Sequence, residues 1–142
     1  LLRALKAKTN SKLHGVDPAQ NISESFQEEG IQNHNSFFDL EFASSFYANF
    51  GVVDVVIARN VLSHVPDIIE VMNGIDLILA PDGLCIIEFH EASKILNEVH
   101  YDSIYHEHTF YQQLKVRNSH LRNKLPFVFC QYHTKNLLPF LV

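Results

Sequence analysis

The sequence predicts an α/β domain built on an open parallel sheet, and three observations lead there. Residues 52–58 (VVDVVIA) and 84–89 (LCIIEF) are nearly continuous apolar runs, the pattern of strands covered on both faces. Between them Val65, Ile68, Met72, Ile75 and Leu79 recur at helical spacing. Strands that alternate with helices along the whole chain imply right-handed crossovers, and hence a parallel sheet.

Residues 1–8 read as the last turns of a helix, with apolar side chains at 1, 2 and 5 and basic ones late. No cap or turn precedes them, so the start of this domain is expected to be missing. A strand over 12–16 ends at Asp17-Pro18, where Pro18 opens a helix running to Glu29 and Gly30 stops it. A strand over 31–38 follows. The helix over 40–50 carries Phe42, Phe46 and Phe50 at steps of four, a core-facing stripe, and Gly51 ends it. Beyond the strand at 52–58, Pro66 and Asp67 suit the first turn of the next helix, and Pro81-Asp82-Gly83 forms the exit turn into the strand at 84–89.

In an open parallel sheet, ligands bind beyond the carboxyl ends of the strands. That rule puts Asp17, Phe37, Phe38, Asn60, His64 and the chain from His90 onward on one rim.

Composition narrows the partners. A chain of 142 residues with 46% hydrophobic content fits one globular domain. Its net charge of −5 argues against a nucleic-acid surface, which needs clustered Lys and Arg. No apolar run reaches a membrane span and no signal-peptide pattern opens the chain, so a cytoplasmic protein with no membrane partner is expected. Two cysteines, Cys85 and Cys130, exclude a four-thiolate zinc site, and Cys85 reads as core. Net charge switches from −10 over 1–114 to +5 over 115–142, where the apolar residues keep no periodicity and Pro126 and Pro139 interrupt them. Residues 115–142 are therefore set apart as an atypical tail that is not expected to be part of the fold.

The chemistry concentrates in residues 101–111, YDSIYHEHTFY, where Tyr105, His106, Glu107 and His108 stand in consecutive positions. Imidazoles beside a carboxylate and a phenol suit proton abstraction, metal ligation or the gripping of a polar substrate. A solvated polar loop is the plain alternative, although Tyr101, Ile104, Phe110 and Tyr111 make full solvation a poor fit. Asp17 can accept both hydroxyls of a ribose, or can cap the helix that Pro18 opens. Asn60 and His64, four residues apart, share one face of a helical turn, where they serve a site, a cap or the surface.

Residues 15–22 (GVDPAQNI), 58–67 (ARNVLSHVPD), 80–89 (APDGLCIIEF) and 101–111 together resemble the sugar C-methyltransferase family, with the YHEH block the most specific part. The resemblance covers 1–114 and implies a Rossmann-like class I methyltransferase sheet with helices on both faces. That sheet is incomplete here, since its first strand and glycine-rich loop are not in the chain. Neither is the family's N-terminal zinc-binding domain, so zinc is not expected here.

Several roles are implied by this resemblance. S-adenosyl-L-methionine is the cofactor, with Asp17 on its ribose, Phe37 beside its adenine and Ala58 also at its site. Asn60 and His64 face a nucleotide-linked keto-deoxysugar, His108 is the general base, and Glu107 and Tyr105 bind and orient the sugar. His106 matches the motif without a role. The implied reaction is methylation of carbon next to a carbonyl; an oxygen or nitrogen acceptor, and a noncatalytic binding remnant, are the alternatives. Without that first strand and loop, these residues alone are expected to fold and to bind the cofactor poorly.

Overall fold

The two strongest apolar runs become neighbouring parallel strands, β3 (Val53–Arg59) and β4 (Leu79–Glu88). The structure is a computed structural model, and it describes residues 1–20, 30–104, 106–109, 111, 127–130 and 140–141. The other strands are β1 (Leu13–Val16), β2 (Ile31–His34), β5 (Phe127–Cys130) and β6 (Phe140–Leu141). They form one sheet in the order β2-β1-β6-β3-β4-β5. Strands β1 to β5 run parallel to their sequence neighbours in the sheet, so the carboxyl ends of β1 to β4 line one rim.

The helices are α1 (Leu2–Lys6), α2 (Leu40–Phe50), α3 (Ile68–Ile78) and α4 (Ala92–Asn97), and a 3-10 turn covers Tyr101–Ser103. Alternation along β1 sorts the first two onto opposite faces. His14 turns toward Phe46 and Phe50 of α2, whereas Gly15 turns toward Leu2 of α1. A Cβ on Gly15 would stand 2.6 Å from Asn33 Oδ1 and 2.9 Å from Leu2, so only glycine lets α1 approach this closely.

Helix α2 begins and ends where its sequence pattern does. Asp39 caps it by accepting from Phe42 N–H at 2.7 Å, and Gly51 closes it at φ 77°. Helix α3 presents Val71, Ile75 and Ile78 to a core shared with Phe46, Val56, Ala58, Leu62, Cys85 and Ile87. Cys85 is fully buried, as core packing requires.

Four expectations change. The strand from residue 31 stops at His34, because Asn35 turns its amide onto the carbonyls of Asp17 and Pro18. Pro81-Asp82-Gly83 sits inside β4 as an irregularity: between Leu79 and Leu84 the register skips, while β3 advances only from Val53 to Val55. Coverage of β3 on both faces is confined to its second half, since Val55 stays 45% exposed. The sheet is also mixed, not purely parallel.

That mixing comes from β6, which lies antiparallel between β1 and β3 and pairs Leu141 with both Val16 and Ala58. Without it the facing edges of β1 and β3 would leave backbone donors and acceptors unmatched. Described residues of the 115–142 segment thus hold two places in the sheet. Residues 21–29 of the helix read to Glu29 lie outside the described residues. No helix among the described residues is long and apolar enough to cross a membrane.

Candidate active site

The site is assembled by two segments that meet on the rim, the turn after β3 and the chain around His108. Asn60 takes a left-handed conformation, φ 50°, which Asn tolerates better than most residues. Its N–H donates to the Glu88 carbonyl at 2.8 Å and so extends the strand pairing by one bond. Glu88 is buried and held by Arg59, whose Nε donates to Oε2 at 3.0 Å. Asn60 Nδ2 adds a bond to Oε1 at 3.2 Å. Leu62, fully buried, anchors the turn, and His64 N–H closes it on the Val61 carbonyl at 2.9 Å. Asp67 then caps α3 through the N–H groups of Ile69 and Glu70.

The second segment is fastened to this turn at several points. Thr109 N–H donates to the Ser63 carbonyl at 2.8 Å, and its hydroxyl lies 2.9 Å from that oxygen and 3.0 Å from the Val65 carbonyl. His64 answers from the other side, with Nδ1–H donating to the Glu107 carbonyl at 3.1 Å. A carbonyl oxygen can only accept, so this bond fixes the neutral His64 tautomer.

His108 is half-buried at the centre. Its Nδ1–H donates to the Ser103 carbonyl at 3.0 Å, which leaves the Nε2 lone pair as the basic position of the neutral ring. The His64 ring lies 4.8 Å away between centroids, Tyr111 5.7 Å and His90 6.2 Å, each edge-on or nearly so. Burial holds the His108 pKa below its ordinary value of 6.5. The Ser103 bond opposes this, the His64 and His90 rings reinforce it, and Glu107 opposes it. The ring is neutral at neutral pH and can accept a proton.

A family model for the methyltransferase domain matches residues 1–118. The chain belongs to the methyltransferase-domain family. It is also 35% identical over 100 residues to the C-methyltransferase NovU of Streptomyces niveus. That match covers 70% of this chain and 24% of NovU, so the chain spans about a quarter of the length of the relative it matches.

Within this methyltransferase domain the remaining predicted residues separate. Asp17 sits at the end of β1, with its N–H on the His34 carbonyl and its Oδ1 accepting from Ala19 N–H at 2.8 Å. The helix-opening turn thus engages one carboxylate oxygen. Phe37, on the loop after β2, is 70% exposed and lies on the same rim. Ala58 differs from the expectation: it is fully buried in β3 between β4 and β6, and offers a ligand no surface. Glu107 gives its carbonyl to His64 while its side chain stays 65% exposed, 4.0 Å from the 92% exposed His106. Tyr105 lies outside the described residues.

Sequence reasoning missed Ser63, Ser103 and Thr109 because two of the three act through backbone carbonyls, which leave no residue-type signal. Glu88 carried a readable signal, a carboxylate inside an apolar strand, which needs a partner such as Arg59.

Proposed function

We propose that this methyltransferase domain serves S-adenosyl-L-methionine-dependent methylation of carbon next to a carbonyl, on a nucleotide-linked keto-deoxysugar, with His108 as general base. The observation that carries this reading is the Nδ1–H bond from His108 to Ser103, which puts the basic lone pair of the neutral imidazole on Nε2. A likeness to a C-methyltransferase supports the carbon acceptor.

The chemistry of the rim fits the cofactor. Asp17 is a carboxylate at a strand end, where it can accept from ribose hydroxyls, and Phe37 exposes an aromatic face on the neighbouring loop. Bound there, the cofactor supplies an electrophilic methyl group on a sulfonium. His108 Nε2 takes the proton from the carbon beside the ketone. The C–H electron pair becomes the enolate double bond, and the carbonyl pair moves onto oxygen. The carbon that His108 deprotonates would be the acceptor of that methyl group.

A positioned base contributes roughly 10² to 10⁴ in rate, and the methyl transfer itself chiefly needs alignment. Asn60, held on Glu88, and His64, held on Glu107, orient the sugar in this reading. Glu107 and Tyr105 bind it, in an enzyme of deoxysugar metabolism working in the cytoplasm. The test is the connectivity of the product formed from ¹³C-methyl cofactor and a thymidine-diphosphate-linked keto-deoxyhexose. A carbon-bound methyl is expected; an oxygen- or nitrogen-bound methyl, or no binding of cofactor, contradicts the proposal.

A further inference from the structure

His90 follows β4 directly and has no part in the reaction as drawn so far, yet its ring stands edge-on to His108 with centroids 6.2 Å apart and planes at 83°. Its Nδ1 is buried, and among the described residues no group is within hydrogen-bonding reach of it. That fact fixes the tautomer. An N–H at that position would be a buried donor with no acceptor, whereas a bare ring nitrogen there loses much less, since orphaned N–H groups are the rarest unpaired groups in folded proteins. The proton of neutral His90 therefore belongs on Nε2.

The two neighbouring rings are set the opposite way. His64 and His108 each spend Nδ1–H on a backbone carbonyl, at 3.1 and 3.0 Å, and carry their lone pairs on Nε2. One cluster so holds two imidazoles of acceptor polarity and one of donor polarity. Among the described residues no three His, Cys, Asp or Glu side chains are placed to hold one metal ion, so the trio is read through its protons.

We propose that His90 is the donor of this cluster, presenting Nε2–H to the oxygen of the acceptor substrate on which negative charge develops as His108 withdraws the proton. The assignment of that oxygen rests on the proposed carbon methylation; the tautomer does not. A hydrogen bond aimed at the enolate oxygen strengthens as the charge forms, so its effect falls on the rate of proton removal more than on binding.

Long-range ¹H–¹⁵N correlation of the imidazoles in this chain, at neutral pH, reads the three tautomers separately. The expected pattern is Nε2–H for His90 and Nδ1–H for His64 and His108. An Nδ1–H or doubly protonated His90 overturns the proposal without any variant having to fold.

Its functional half is tested by deuterium uptake from solvent into the same keto-deoxyhexose. His90→Phe should slow exchange about 10²-fold with little change in substrate affinity, while His90→Gln, which keeps a donor at similar reach, recovers most of the rate. Wild-type exchange by His90→Phe, alongside a dead His108→Ala, removes His90 from the reaction and leaves the proposed function standing. No exchange by the wild-type protein removes the proposed function and the oxygen contact together.

Discussion

His14 and His34 form a second imidazole pair, remote in role from the rim and visible only after folding. They come from β1 and β2, with His14 Nδ1 and His34 Nε2 3.1 Å apart, so one ring donates and the other accepts. Phe42, Phe46 and Phe50 of α2 close around them. Burial lowers both pKa values, and the charges of His34 and Lys12 lower that of His14 further. In the unfolded chain both rings take up protons near the ordinary 6.5, which the folded pair resists. Stability from this pair is fully present above 6.5 and is lost as pH falls from there through the lowered folded values. Urea unfolding midpoints should stay level above neutrality and drop as pH falls below 6.5, and the drop should be shallower for His14→Phe. An equal acid loss in that variant would place the sensitivity elsewhere.

At this same scale the sequence exposed residue types but not their directions. The spacing of Asn60 and His64 and the YHEH run brought His64 and His108 to attention. That the two would meet across the 61–65 and 106–109 segments depends on Thr109 and on carbonyls of Ser63 and Glu107, which no residue pattern announces.

Among the elements, the exit from α4 carries a measurable flaw. His100 N–H bonds the Ile95 carbonyl at 3.0 Å, the wide closing bond of a helix end whose penultimate residue must be left-handed. Val99 fills that place at φ 58° and is 57% exposed, where glycine is the usual occupant. A β-branched residue there is strained by about 1–2 kcal/mol. Val99→Gly should stabilise the chain by about 1 kcal/mol after the greater flexibility of glycine when unfolded is offset, measured by denaturant unfolding. Destabilisation would mean that Val99 packs against something in solution.

The contact of α2 with α3 depends on Gly74, since a Cβ there would meet Phe38 at 3.0 Å and Ala43 at 3.1 Å. Helical periodicity located both helices, because their apolar stripes at 40–50 and 68–78 are uninterrupted. It could not foresee that Pro81-Asp82-Gly83 would be absorbed into β4, which is a consequence of register against β3.

For the molecule as a whole, the parallel core and its rim were legible because βαβ order leaves few topologies. The place of β6 was not, because a two-residue antiparallel strand has no periodicity to read. The end of β1 at Asp17 and the turn after β3, to which the His108 segment is fastened, lie on the same rim with β6 between the two strands.

Proton abstraction by His108 is the step on which the whole account turns, and it can be observed without methyl transfer. The protein is incubated in deuterium oxide with a thymidine-diphosphate-linked keto-deoxyhexose, and label at the carbon beside the ketone is followed by NMR. Uptake should rise with pH on the acid side of 6.5, level off by neutrality, and fall roughly 10²- to 10⁴-fold in His108→Ala. Unlabelled sugar from the wild-type protein, or undiminished labelling by His108→Ala, would contradict it.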